Sequence, residues 1–205
     1  MKILVATRSE GKQRELRRLF AEAGHEAVFP TEAGIPWSGA EERLEVADSF
    51  ETNARVKAEY FAKKTGLPTV ADDSGLEVIA LGGQPGTRSK RFAGATGSPL
   101  EVDQANNKEL LRRLAGLAEA KRRARYRCVL AYLATHSAVP RIFEGTCNGR
   151  ILTEPKGEGG FGYDPLFLSD DLGQTFGEAD PEAKDGVSHR GRAFRALLEA
   201  IRIPR

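Results

Sequence analysis

The sequence predicts an α/β fold, a mixed, twisted central sheet flanked by helices and arranged in two lobes. Three observations carry that expectation. Short β-branched runs alternate with segments whose apolar residues recur at helical spacing. Glycine-rich loops follow several of these runs, and neither an internal repeat nor a composition break divides the chain. At 205 residues with 40% hydrophobic content, the chain is long enough to bury a sizeable core as one globular domain over 1–205.

The elements follow in order. Lys2 to Ala6 (KILVA) reads as a strand, and Gly11 to Ala23 places Leu16, Leu19, Phe20 and Ala23 on one helical face. Residues 31–48 read as irregular, rich in Gly, Pro and acidic side chains. Ser49 to Lys64 (SFETNARVKAEYFAKK) reads as a second helix closed by Gly66 and Pro68, and Thr69 to Ala71 as the next strand. After the loop LGGQPGTRSKRFAG, a helix is expected over Asp103 to Leu117. Paired strands are expected over Tyr126 to Thr135 and Ala138 to Thr153, and a C-terminal helix from near His189.

Composition narrows the function. A net charge of +2 gives no field for nucleic acid, and no run approaches the length of about 20 apolar residues that spans a bilayer. The N-terminus has no signal-peptide pattern, and Cys128 sits in the apolar run CVLAYLA, so a reduced, cytoplasmic setting without a disulfide scaffold is expected. The basic run KRRARYR, Lys121 to Arg127, reads as the solvated end of a helix, with an anion-binding role as the alternative.

Four loops carry the chemistry. The turn ATRSEGK sets Thr7, Ser9, Gly11 and Lys12 between strand and helix, where backbone N–H groups and a helix N-terminus favour an anion. It lacks the Walker A pattern, and a hydroxyl-rich cap beside a surface lysine explains it equally. In VADDSG, Asp72 and Asp73 stand where the strand is expected to end. Oxygen ligands of this kind suit a hard cation, whereas an Asx turn closed by Gly75 is the structural alternative. Neighbouring strand residues point to opposite faces, so the two carboxylates are expected to do different work. In GEGGFGYDPLF, Phe161 and Tyr163 offer flat faces on glycine hinges and Asp164 an acceptor. A stacked base is worth about 1 to 3 kcal/mol, and a β-turn with a packed Phe is the plain alternative. In DGVSHRGRAF, His189 and Arg190 can donate to a carbonyl or phosphate, although a histidine here also serves as a helix-cap feature. Together these groups describe a nucleoside triphosphate site.

ATRSEGKQRELRRLF, FETNARVKA, ADDSGLEVIALGGQPGTRSKRFAG, GGFGYDPLF and SHRGRAF, in that order, resemble the inosine triphosphate pyrophosphatase family, the XTP/dITP diphosphatases. The resemblance runs from Ile3 to Leu198. It implies a homodimeric, Mg²⁺-dependent enzyme, with its active-site cleft between two lobes, that hydrolyses ITP, dITP and XTP to the monophosphate and pyrophosphate and so cleanses the nucleotide pool. By position, it implies that Thr7, Arg8, Ser9, Glu10, Gly11 and Lys12 hold the triphosphate, and that Asp73 is the catalytic carboxylate. Glu45, eight residues before Asn53, is implied as the second metal ligand beside Asp73. Ser74, Phe161, Gly162, Tyr163, Asp164, Lys184, His189 and Arg190 are implied to complete the substrate site. The chain departs from the family pattern at Ser9, where Asn is usual, and at Thr52, where the helix motif usually has Glu; the second change places the metal's demand on Glu45 and Asp73. A pyrophosphatase for other modified nucleotides, or a non-catalytic nucleotide-binding module, are the competing readings.

Overall fold

The computed structural model describes residues 1–201. Its elements run β1 (Lys2–Val5), α1 (Glu10–Glu22), β2 (Glu26–Val28), α2 (Phe50–Thr65), β3 (Thr69–Val78), α3 (Pro99–Arg113), β4 (Arg123–Leu133), β5 (Arg141–Ile151), β6 (Phe167–Ser169), α4 (Pro181–Val187) and α5 (His189–Ala200). The strands form a six-stranded sheet in the order β2-β1-β3-β4-β5-β6. β1 pairs in parallel with both β2 and β3, while β5 and β6 pair antiparallel, so the sheet is mixed as expected.

The chain divides into two compact units. The first comprises residues 1–73, 128–145 and 190–201; the second comprises 74–127 and 146–189.

In the first unit, the period of two along β1 sorts its residues between two apolar clusters. Ile3 and Val5 pack with Leu16, Leu19 and Phe20 of α1 and Ala193, Phe194 and Leu197 of α5. Leu4 and Ala6 pack with Ala54, Ala58, Phe61 and Ala62 of α2. Strand residues wanted by helices on both faces must be apolar without alternation, which is why KILVA and TVA read as continuous runs. Ser9 and Ser49 cap α1 and α2, and Gly66 closes α2 with φ of 67°.

In the second unit, Leu76, Val78, Leu110, Leu114, Tyr126, Cys147, Ile151, Phe167 and Phe176 share one core. Tyr126, Phe167 and Phe176 meet there with ring centroids 4.7 to 6.0 Å apart.

Several boundaries differ from expectation. β3 does not stop at Ala71 but continues through Asp72, Asp73, Ser74 and Gly75 to Val78. Leu76 and Val78 are fully buried, and their burial offsets the poor strand propensity of the residues before them. Gly75 is required by a close approach, because a Cβ there would lie 2.2 Å from the Gly86 carbonyl oxygen and 2.5 Å from Ser89 Oγ. α3 begins at Pro99 rather than Asp103, since Ser98 and Glu101 form a reciprocal capping box. KRRARYR is not a solvated helix end. Arg122 is buried and donates to the carbonyls of Ile151, Leu114 and Leu152 at 2.8, 2.9 and 2.7 Å, while Arg123 to Arg127 lie in β4. β2 and β6, three residues each, and the one-turn-plus α4 have too little periodicity to be read from sequence.

Candidate active site

In the first unit, polar side chains from α1, α2, β3 and α5 converge on the pair Asp72 and Asp73. The two carboxylates divide their partners as their alternation demands. Asp72, 1% exposed, accepts from Lys12 Nζ at 2.7 Å, and Arg190 Nε stands 3.7 Å from the same oxygen. Asp73 accepts from Asn53 Nδ2 at 2.8 Å. Asn53 also bonds both polar groups of the Ala47 backbone at 3.0 Å, so one side chain ties α2, β3 and the segment that carries Glu45. Lys57, one turn further along α2, donates to Glu45 and to the Asp72 carbonyl.

These contacts push the carboxyl groups apart in acidity. Burial disfavours the charged form of Asp72, yet the cations Lys12, Lys57 and Arg190 outweigh it and hold the group below the usual carboxylate range. Lys57 draws Glu45 downward against the effect of burial. Asp73 moves the other way: burial and the Glu45 charge raise it, and Lys57, Lys12 and the Asn53 bond do not compensate. Burial also opposes the charge of Lys57, but Glu45, Asp72 and Asp73 keep it protonated. The two neighbouring carboxylates are thus driven in opposite directions by their surroundings.

The remaining expected residues of this unit fall as follows. Ser9 is the cap of α1, its hydroxyl accepting from the Lys12 N–H at 3.5 Å, and the Ser9 N–H donates to Thr7 Oγ1 at 3.2 Å. Glu10 and Gly11 form the first helical turn, with Glu10 exposed. Lys12 is no surface lysine but the ion-pair partner of Asp72. Arg8 is bound to Glu41 through two nitrogens at 2.9 and 2.7 Å. Arg190, 3% exposed, is paired with Glu15. Thr52 is exposed at the start of α2, where its backbone N–H donates to Ser49 Oγ.

In the second unit, the loop expected to carry a stacking ring is held by a separate set of bonds. Asp164 Oδ2 accepts from the Phe161 N–H at 2.8 Å and from Lys184 Nζ at 2.6 Å, and Tyr126 OH lies 3.3 Å from its other oxygen. Lys184 Nζ is 4.9 Å from the Phe161 ring centroid. Gly160, with φ of 74°, is where a Cβ would come within 2.2 Å of Asp164 Oδ2, so the ring rides on a turn only glycine permits. Phe161 itself is half-buried. Tyr163 belongs to the core, 3% exposed, with its hydroxyl donating to the Ser89 carbonyl at 2.8 Å. His189 stacks on Tyr126 at 4.6 Å and 8°. Ser74 is half-buried in β3.

Asn53, Lys57, Glu15 and Glu41 escaped the reading of sequence. The signal for the first two was present, since FETNARVKA puts two polar residues four apart on the face that also carries Ala54 and Ala58. Cys128 is buried, and its surroundings push its thiol far up, as expected of a core residue rather than a nucleophile.

The donor set around Asp73 suits a hard divalent cation. Glu45 and Asp73 supply only oxygen, and among the described residues no group of three or more His, Cys, Asp or Glu side chains is arranged to hold a metal. A cation such as Mg²⁺ is commonly held by one or two carboxylates together with substrate phosphates.

The chain is similar to known proteins along nearly its full length. A dITP/XTP pyrophosphatase of Yersinia pseudotuberculosis is 44% identical over 202 residues, covering 98% of each chain. One of Halorhodospira halophila is 45% identical over 203 residues, covering 98% of this chain and 97% of the relative. Among solved structures, a HAM1 protein from Coxiella burnetii superposes with a TM-score of 0.83 at 34% identity, with 98% of both chains covered. The nucleoside-triphosphatase, dITP/XTP pyrophosphatase, from Mycobacterium abscessus gives 0.73 at 43% identity, covering 97% of this chain and 99% of that one. The model of the Ham1 family matches residues 3–200, and with relatives this similar along their full length the chain belongs to the Ham1 family.

Proposed function

We propose that the protein hydrolyses deaminated purine nucleoside triphosphates, ITP, dITP and XTP, to the monophosphate and pyrophosphate. The observation that carries this reading is the convergence of Asp72, Asp73 and Glu45 with Lys12, Lys57 and Asn53, within a chain whose full-length relatives are named dITP/XTP pyrophosphatases. No helix among the described residues is long and apolar enough to cross a membrane. Cytoplasmic residence and a homodimer complete the reading.

The roles follow from chemistry. Lys12 and the N–H groups of the first turn of α1, with Thr7 and Ser9 beside them, bind the phosphates, as a helix N-terminus favours. Glu45 and Asp73 would hold Mg²⁺ jointly with phosphate oxygens, and the bound cation would supply neutralisation of the phosphate charge. Asp73 orients a water for in-line attack and accepts its proton. Asp72 keeps Lys12 in place, and Asn53 fixes the rotamer of Asp73. Phe161 takes the base on its face, with Lys184 and Asp164 setting the loop beneath it.

Base choice rests on the C6 position. Inosine and xanthine present an oxygen there and adenine an amino group, so donors aimed at that atom, from His189 or backbone N–H groups, would face a donor in ATP. A buried donor without an acceptor discriminates by up to the order of 10⁴-fold. Arg190 is committed to Glu15 and Asp72 and serves this reading by ordering Asp72.

The direct assay is incubation with ITP, XTP, ATP and GTP, with and without Mg²⁺, followed by separation of products. Metal-dependent IMP and pyrophosphate from ITP, with ATP and GTP largely intact, is the expected result. Orthophosphate as first product, or binding without turnover, would reject the reading.

A further inference from the structure

The loop that carries Phe161 is held from one side by α3. Gly162 is gripped at both ends of its backbone: its N–H donates to Asp103 Oδ2 at 2.7 Å, and its carbonyl accepts from Asn107 Nδ2 at 3.0 Å. Asp103 and Asn107 are four apart on α3 and so stand one above the other. Gly162 has φ of 65°, a backbone conformation that glycine adopts without strain. α3 is a firm base for this grip, with a capping box at Ser98 and Glu101 and with Leu110 fully buried and Leu114 beyond its last turn likewise buried.

Close packing fixes the next residue, Tyr163, in the core, but the side of the loop that faces α3 is less filled. Beside the grip lies a cavity of about 680 Å³ lined by Leu100, Asp103, Asn107, Leu111, Phe161 and Pro165 among others. On that side hydrogen bonds hold the loop, and they join the Gly162 backbone to Asp103 and Asn107 of α3. Burial pushes the Asp103 carboxyl up despite its bond to Gly162, which marks the grip as one set in a partly desolvated place.

We propose that Asp103 and Asn107 are positioning residues for base recognition: by clamping the Gly162 backbone they fix the Phe161 ring where the purine stacks, and so set nucleotide affinity rather than the phosphoryl step. This rests on the reading above that Phe161 receives the base.

The test compares Asp103→Ala, Asp103→Asn and Asn107→Leu with the parent enzyme on ITP. Loss of one bond should raise KM about tenfold, the size of one net hydrogen bond, with kcat within about twofold. Asp103→Asn retains an acceptor oxygen and should recover most of the loss seen with Asp103→Ala. Asn107→Leu combined with Phe161→Leu should raise KM no further than Phe161→Leu alone, because both act through the same ring. Unchanged KM in the folded variants, a fall confined to kcat, or additive effects would overturn the proposal. A second measurement is independent of activity. Trp37 is the sole tryptophan and is 63% exposed, so a chain carrying Trp37→Phe and Phe161→Trp reports on the ring alone. Adding Asn107→Leu should lower its fluorescence anisotropy, and an unchanged value would show that the clamp does not hold the ring. A parent inactive on ITP would instead remove the functional reading, leaving the anisotropy to decide the positioning.

Discussion

Asp73 is 6% exposed and linked by a 2.8 Å bond to Asn53, so its ionisation state and its rotamer are both set by neighbours. An Asp73→Asn variant preserves shape but can neither accept a proton nor serve as an anionic ligand. Turnover should fall by about 10² to 10⁴-fold, the usual worth of a positioned base, while nucleotide binding measured by calorimetry persists. Turnover near the parent level would take Asp73 out of the chemistry. The sequence made this residue legible because two carboxylates interrupting an apolar run are conspicuous wherever they fall. It did not reveal Asn53 and Lys57, since a polar residue on a helix looks solvent-facing until the burial of its face is known. For the same reason Arg122 read as part of a solvated cluster, although three backbone carbonyls surround its guanidinium.

At the scale of elements, helices were the most legible. Serine caps precede α1, α2 and α3, and their apolar residues keep a 3.6 period. β3 was half hidden, because DDSG carries the turn-forming residues of a loop while the structure treats it as mid-strand. What decides the matter is distant in sequence, the approach of the Gly86 carbonyl to the bare face of Gly75. Gly75→Ala should therefore destabilise the fold by about 1 to 3 kcal/mol, as overpacking does, and lower the urea midpoint with little change in slope. A midpoint equal to the parent's would mean that the 86–89 segment yields without cost. The GGFGYD loop was legible in composition but not in division of labour: Phe161 remains half-buried while Tyr163 is spent in the core, a distinction set by packing against Ser89 and not by residue type.

Across the whole molecule, the α/β class and mixed sheet were readable from the alternation of elements. The make-up of the two compact units was not. Each gathers segments far apart in the chain, with 128–145 joining 1–73 and 146–189 joining 74–127, and such long-range pairing leaves no local pattern. The order of the motifs, by contrast, runs the length of the chain and matches relatives over 98% of it. On the proposed reading, the water that Asp73 orients attacks the α-phosphorus and expels pyrophosphate. Hydrolysis of ITP in ¹⁸O-labelled water tests it most directly. A single ¹⁸O in IMP and none in pyrophosphate is the expected result; label in pyrophosphate with unlabelled IMP would place the attack on the β-phosphorus instead.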